Sequence, residues 1–277
     1  MTNETESDRQ MRSVLEEVLA PAREAQERAI AEHEILRDSR AFKNAIAYNR
    51  RICTSFIHLL HLANIMVSRS QALSEHTLSI RMTDYFLQSA VVVTYLIENG
   101  FHGPAKRELR FLLEAGIKFL VTDQRWSAAT IEAKNKHIAE LPDRFREIVD
   151  TLSLPGLDQT TQSEMRRRIL DLYGSLSTIV HASQAQVAMD LKRWEHGAPI
   201  GFETVSHANT MNQLCLDVFD IGVVLSLHSV GLSLAGDIFT AVLDEQPKWV
   251  FHKSRFSAAL SRYFDYKVER KGGAGTE

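Results

Sequence analysis

"PAKRELRFLLEAGIKFLVTD", residues 104–123, is the stretch whose reading decides the fold. At about 100° per residue, Leu109, Leu112, Leu113, Gly116 and Leu120 fall on one side, the spacing of a helix that buries one face. Pro104 suits a first turn, where its missing N–H costs no hydrogen bond. Arg107, Arg110 and Glu114 do not stand opposite the apolar face. They lie on its shoulder, on the same side as Ile117 and Val121. Arg110 and Glu114 are four residues apart and can pair on the surface for roughly 0.2–0.5 kcal/mol. Any part of these charges that becomes buried needs a partner, because an unpaired buried charge is very costly.

The same periodicity continues in both directions. Residues 41–70 carry Ile46, Ile52, Phe56, Leu59, Leu60, Ala63 and Met66 on one wide face. Residues 77–98 carry Leu78, Met82, Tyr85, Phe86, Val92, Val93, Leu96 and Ile97, and Asn99-Gly100 is a helix-stop signal. Shorter helices are predicted near 127–140 and 142–151, then a loop at "SLPGLD" and a helix from about 160 to 194. "EHGAPIGFET" is a second loop. An apolar helix at 207–243 follows, with a new start at Pro247 and a last helix to about 268. At the other end, 8–39 is charge-rich, with Val14, Leu15, Val18 and Leu19 on one side, Pro21 placed to restart the helix, and Ile30, Ile35 and Leu36 extending an apolar edge. No segment alternates long enough to be a convincing strand. The chain therefore reads as all-α, a multi-helix bundle over 41–268. A long N-terminal helical arm or pair precedes it at 1–40, and a disordered tail follows at 269–277.

Composition agrees with a packed globular chain. Of 277 residues, 44% are hydrophobic and 24% charged, and Gly and Pro number only thirteen and six, few for a turn-rich β protein. The net charge of −3 excludes a chain that is basic throughout. Its distribution is uneven: residues 1–40 hold ten acids and six bases, whereas 247–271 hold seven bases and two acids. Cys53 and Cys215 show no framework spacing and read as reduced core residues of a cytoplasmic protein. "VFDIGVVLSLHSVGLSLAG", residues 218–236, is almost long enough to span a bilayer. Asp220 and His228 interrupt it and Asp217 and Asp237 flank it, so it reads as a central bundle helix, with no membrane role.

"LYGSLSTIVHASQ", residues 172–184, supplies the second polar element. Tyr173, Ser177, His181 and Gln184 run along one helical side. A carboxylate beside an imidazole fixes its tautomer and raises its pKa, the arrangement used in general acid–base chemistry. Glu114 and His181 each sit among apolar neighbours and each needs a partner, so they are predicted to meet across a helix–helix contact. Two readings stand side by side: a structural network of arginine, acid, tyrosine and histidine, or a ligand-binding or catalytic site.

The pairing of Arg110, Leu112 and Glu114 (R-x-L-x-E) with Leu176, Ser177, Val180 and His181 (L-S-x-x-V-H) resembles a family of bacterial all-helical proteins. These in turn resemble abortive-infection proteins and HEPN-type domains. The likeness spans roughly residues 78–190. It implies a HEPN-like middle portion and a defence or toxin module acting on RNA, as a metal-independent endoribonuclease. On that reading Arg107 and Arg110 hold phosphate, Glu114 orients, His181 is the acid–base group, and Tyr173 and Ser177 contact substrate. HEPN ribonucleases carry Arg-x4–6-His on one helix. Here His181 is kept, but no arginine stands at that spacing before it, so Arg107 or Arg110 would act from the facing helix. The other reading is a non-enzymatic interaction or scaffold protein, with a protein partner or a homodimer through the acidic arm.

Other motifs point to no cofactor and no metal. His58 and His61 ("HLLH") share a helix face, but no third ligand is evident. No Gly-rich phosphate loop follows a strand. "KWVFHKSRFSAALSRYFDYKVERK" interleaves bases with aromatics, as single-strand binders do. Yet Trp249, Phe256, Leu260, Tyr263 and Lys267 recur at helical spacing, which favours an amphipathic terminal helix docked on the bundle.

Overall fold

A serine hydroxyl stands between the two longest described helices. The structure is a computed structural model and describes residues 6–68, 70–178, 184, 187–188, 191 and 204–273. Helix α1 runs from Glu6 to Asp38 and α2 from Arg40 to Val67. Ser39 separates them with an extended backbone, and its Oγ accepts a hydrogen bond from Phe42 N at 3.2 Å, capping α2. Pro21 does not restart the helix: α1 continues through it, at the loss of one backbone hydrogen bond.

After α2 come α3 (Gln71–His76), α4 (Leu78–Arg81), α5 (Thr83–Glu98) and α6 (His102–Arg125). Then follow α7 (Ile131–His137), α8 (Phe145–Thr151) and α9 (Gln159–Ser177). The last group is α10 (Val205–Ser229), α11 (Leu232–Ile238), α12 (Arg255–Tyr263) and α13 (Val268–Gly273). All regular elements among the described residues are helical. Gly100, with φ 75°, ends α5 as its sequence suggests: Phe101 N returns to Leu96 O at 2.7 Å. The apolar stretch expected at 207–243 is not one helix. It breaks at Gly231, whose φ is 84°, and a short π-helical turn over Phe239–Leu243 follows α11. Residues 269–273, expected in a disordered tail, belong to α13.

Helix α10 is the axis of the bundle, packed against α2, α6, α9 and α12. By length and composition it passes for a membrane span, but 61% of its apolar window is buried inside the fold. Its apolarity serves the core. Phe56 of α2 and Phe219 of α10 stack at 4.6 Å, and Gly222 allows that approach. A Cβ at 222 would come within 2.9 Å of the Phe56 ring. The terminal segment docks as its apolar spacing indicates. Trp249, Phe256 and Leu260 are buried as expected, but Tyr263 is exposed and its neighbour Phe264 is buried instead; Trp249 Nε1 donates to Ser55 O at 3.0 Å. Three of its seven bases are paired within the chain, Arg255 with Glu164, Lys267 with Asp237, and Arg270 with Asp244 and Asp265.

Helix α1 differs from the rest. Its last turns meet the start of α2 and of α10, with Leu36 packed near Phe42, Ala45 and Ala208. Met11, Val14, Leu15, Val18 and Leu19 are 43–68% exposed.

Candidate functional site

The shoulder of α6 meets α9 directly. Leu109, Leu112, Leu113 and Leu120 are buried as read, and so are Ile117 and Val121. This draws the neighbouring charges into a half-buried setting. Arg110 Nη2 donates to Tyr173 Oη at 2.9 Å, and its guanidinium carbon lies 4.8 Å from the centre of the same ring. Tyr173 in turn stacks on Phe145 of α8, with centroids 4.0 Å apart and planes 22° apart. Glu114 Oε2 lies 3.9 Å from Arg110 Nη2, and Glu114 Oε1 accepts from Lys118 Nζ at 2.6 Å. Ser177 Oγ turns back on its own helix and donates to Tyr173 O at 2.5 Å.

Arg110, Glu114 and Tyr173 therefore come together, with Lys118 as an added member. Arg107 does not join them; it is exposed one turn earlier on α6. His181, and with it the expected Glu114–His181 contact, lies outside the described residues. The cluster acts as a clasp. The arginine plane lies on an aromatic stack, an interaction of roughly 0.5–2 kcal/mol, while one carboxylate bridges two cations on the same helix. Arg110 Nε is buried and takes no hydrogen bond.

Three cavities stand out among the described residues, and Arg110, Glu114 and Tyr173 line none of the three. One of about 30 Å³ lies in the core between α2, α4, α5, α6 and α10. A groove of about 490 Å³ runs between α9, α10 and α12, with Arg167, Arg168, Lys253 and Arg255 facing Glu164 and Asp217. Another, of about 530 Å³, opens beside Asp123, Lys134 and His228. His58 is half-buried and His61 exposed. Among the described residues no three His, Cys, Asp or Glu side chains are grouped to hold a metal.

Sequence reasoning assigned no partners to two buried carboxylates. Asp123 of α6 accepts from Leu78 N at 2.8 Å, Ser79 N at 2.9 Å, Ser79 Oγ at 2.7 Å and Lys134 Nζ at 2.9 Å. It thereby caps α4 and anchors α7, whose Lys134 also donates to His76 O. Asp220 of α10 does the same for α12, accepting from Phe256 N and Ser257 N, both at 2.9 Å, and from Ser257 Oγ. Burial pushes the Asp220 carboxyl above its usual range, against the pull of these donors. Asn49 links the two thiols: its Nδ2 donates to Cys215 Sγ at 3.7 Å, and Cys53 Sγ donates to its Oδ1 at 3.9 Å. Both thiols are buried, as their apolar context suggested. The readable signal for Asp220 was its interruption of an apolar helix; the backbone donors it serves lie more than thirty residues downstream.

No family model, no curated protein and no solved structure matches the chain.

Proposed function

We propose that this protein works by binding another protein through α1, and that the Arg110–Tyr173–Glu114–Lys118 clasp is structural. The observation that carries this reading is the uncovered apolar stripe of α1. Five large apolar side chains, from Met11 to Leu19, stand 43–68% exposed on one helix. Clustered exposure of this kind marks an interaction surface, whereas scattered single residues do not. A helix segment of this length gains little stability in water without packing. The clasp supports the same reading, because Arg110 and Glu114 are engaged by groups of their own chain. The test is a photo-crosslinking amino acid at Leu19 in cells expressing the full chain. A covalent protein adduct is expected; irradiation that yields no protein adduct would refute the reading.

One observation favours a second reading, an RNA-directed HEPN-like defence module. Helix α6, with the first family-like motif, packs against α9, which ends at Ser177 within the second, and Arg107 is exposed on α6. On this reading Arg107 holds phosphate and His181 supplies acid–base chemistry. Metal-independent RNA cleavage and growth arrest, both abolished by His181→Ala and weakened by Arg107→Ala, would favour it over the interaction reading.

A further inference from the structure

Helices α2 and α10 run in parallel along the seam where they pack. Asn212 Nδ2 donates to Ala45 O at 2.8 Å, Asn49 Nδ2 donates to Cys215 Sγ at 3.7 Å, and Phe56 stacks on Phe219 at 4.6 Å, so each step along one helix is matched by a step along the other. The seam is built of short side chains at Ala45, Cys53, Cys215 and Gly222, and short side chains bring two helix axes close together.

The two thiols lie between the Asn212 contact and the Phe56–Phe219 stack. Asn49 touches both, because its Oδ1 also accepts from Cys53 Sγ at 3.9 Å. The thiols meet each other as well. Their mutual hydrogen bond holds Cys53 below the ordinary thiol range against the cost of burial, with a contact from Thr94 adding to it. Burial, and then the same contact between the thiols, pushes Cys215 well above that range. One sulfur is therefore the readier thiolate, and the other stays a protonated thiol beside it. Thr94 of α5 is half-buried, so Cys53 has a neighbour that reaches the surface.

We infer that Cys53 and Cys215 form an oxidation site, which hydrogen peroxide converts to an internal disulfide that staples α2 to α10. The Cys53 thiolate attacks one peroxide oxygen. The O–O bond breaks, an S–O bond forms, and the departing oxygen takes up a proton and leaves as water. Cys215 sulfur then attacks the sulfur of this sulfenic acid. The S–O bond breaks, and the hydroxide leaves with the Cys215 proton as a second water. Two thiols and one peroxide thus give one disulfide and two waters. Burial selects the oxidant: hydrogen peroxide is close to water in size, whereas a bulky disulfide such as oxidised glutathione has no approach to sulfurs that are 1% and 0% exposed. The staple lies along the same seam as the seat of α1, where Leu36 packs near Phe42, Ala45 and Ala208.

The experiment treats the native full chain with hydrogen peroxide or with oxidised glutathione, then unfolds it, alkylates free thiols and maps the peptides by mass spectrometry. Oxidation of Met11, which is 63% exposed, confirms in the same sample that the peroxide has acted. Peroxide should join the Cys53 and Cys215 peptides within one copy, reversibly by a reductant. The stapled chain should have a raised urea midpoint, because a cross-link between distant residues restricts the unfolded chain. Oxidised glutathione should leave both thiols free to alkylate. In Cys215→Ser, Cys53 should gain oxygen instead of a bridge, and in Cys53→Ser, Cys215 should stay reduced. Two free thiols after peroxide, oxygen on each sulfur without a bridge, or a bridge between two copies would overturn the site. A glutathione adduct on Cys53 would overturn the selection of peroxide, and a lowered midpoint would overturn the staple.

Discussion

Replacing Asp123 by Asn removes one charge from the most enclosed ion pair in the fold. The Lys134 and Asp123 side chains are only 2% and 9% exposed. In the wild type the carboxylate accepts four hydrogen bonds, two of them from the first amides of α4. An amide of the same shape keeps one acceptor oxygen and turns an NH2 toward groups that are themselves donors. Lys134 then retains the His76 carbonyl but loses its counter-charge. Breaking one side of a buried pair costs about 3–5 kcal/mol, a large fraction of the total stability of a typical domain. Lys134→Met is milder, about 1–3 kcal/mol, because Asp123 keeps three donors. The double variant should cost less than the sum by at least about 1.5 kcal/mol, since the second change removes a charge the first left stranded. Urea unfolding followed by circular dichroism measures all three. An Asp123→Asn loss below about 1 kcal/mol, or strict additivity, would refute the account of this pair.

Two further outcomes follow from other groups. His228 Nδ1 donates to Val224 O at 2.7 Å, and burial holds its pKa below the ordinary 6.5. Below that pH the unfolded chain takes up a proton that the folded chain resists, so the contribution of His228 to stability is present above pH 6.5 and is lost on acidification. The melting temperature should therefore fall from about pH 7.5 to about pH 5 more steeply in the wild type than in His228→Gln; parallel curves would contradict this. Arg110→Ala should destabilise the fold by about 1–3 kcal/mol through loss of the Tyr173 stack and hydrogen bond, and Tyr173→Phe by about 1 kcal/mol or less. Unchanged unfolding midpoints, with altered RNA affinity instead, would contradict the structural role of the clasp.

The fold class was legible because helical spacing is local. The core faces of α2 and α6 could be read directly, that of α5 only through Phe86, Val93 and Ile97, since Tyr85 and Val92 stand exposed, and Asn99-Gly100 marked the end of α5 through its need for a left-handed backbone. Pro21 misled because a proline can continue a helix where only one backbone bond is forfeited. The break at Gly231 was missed because the apolar run around it is continuous, so periodicity gave no reason to stop. The site was legible in part. Arg110 and Glu114 were expected to pair, and a four-residue spacing on one helix suffices for that. Tyr173 as the group beneath Arg110 depends on how α6 crosses α9, which sequence spacing does not encode. For the same reason Asp123 and Asp220 passed as ordinary charges. Each serves backbone donors of a distant helix start, and such donors leave no mark in side-chain type.

The central claim, that the open stripe of α1 is where this protein meets a protein partner, is tested most directly by covalent capture. The full chain carrying a photo-crosslinking amino acid at Leu19 should form one discrete protein adduct on irradiation in cells. Leu15→Glu with Val18→Glu in the same chain should abolish that adduct with the helical dichroism retained. A chain that yields no protein adduct, or a double variant that yields the same adduct, would contradict the account.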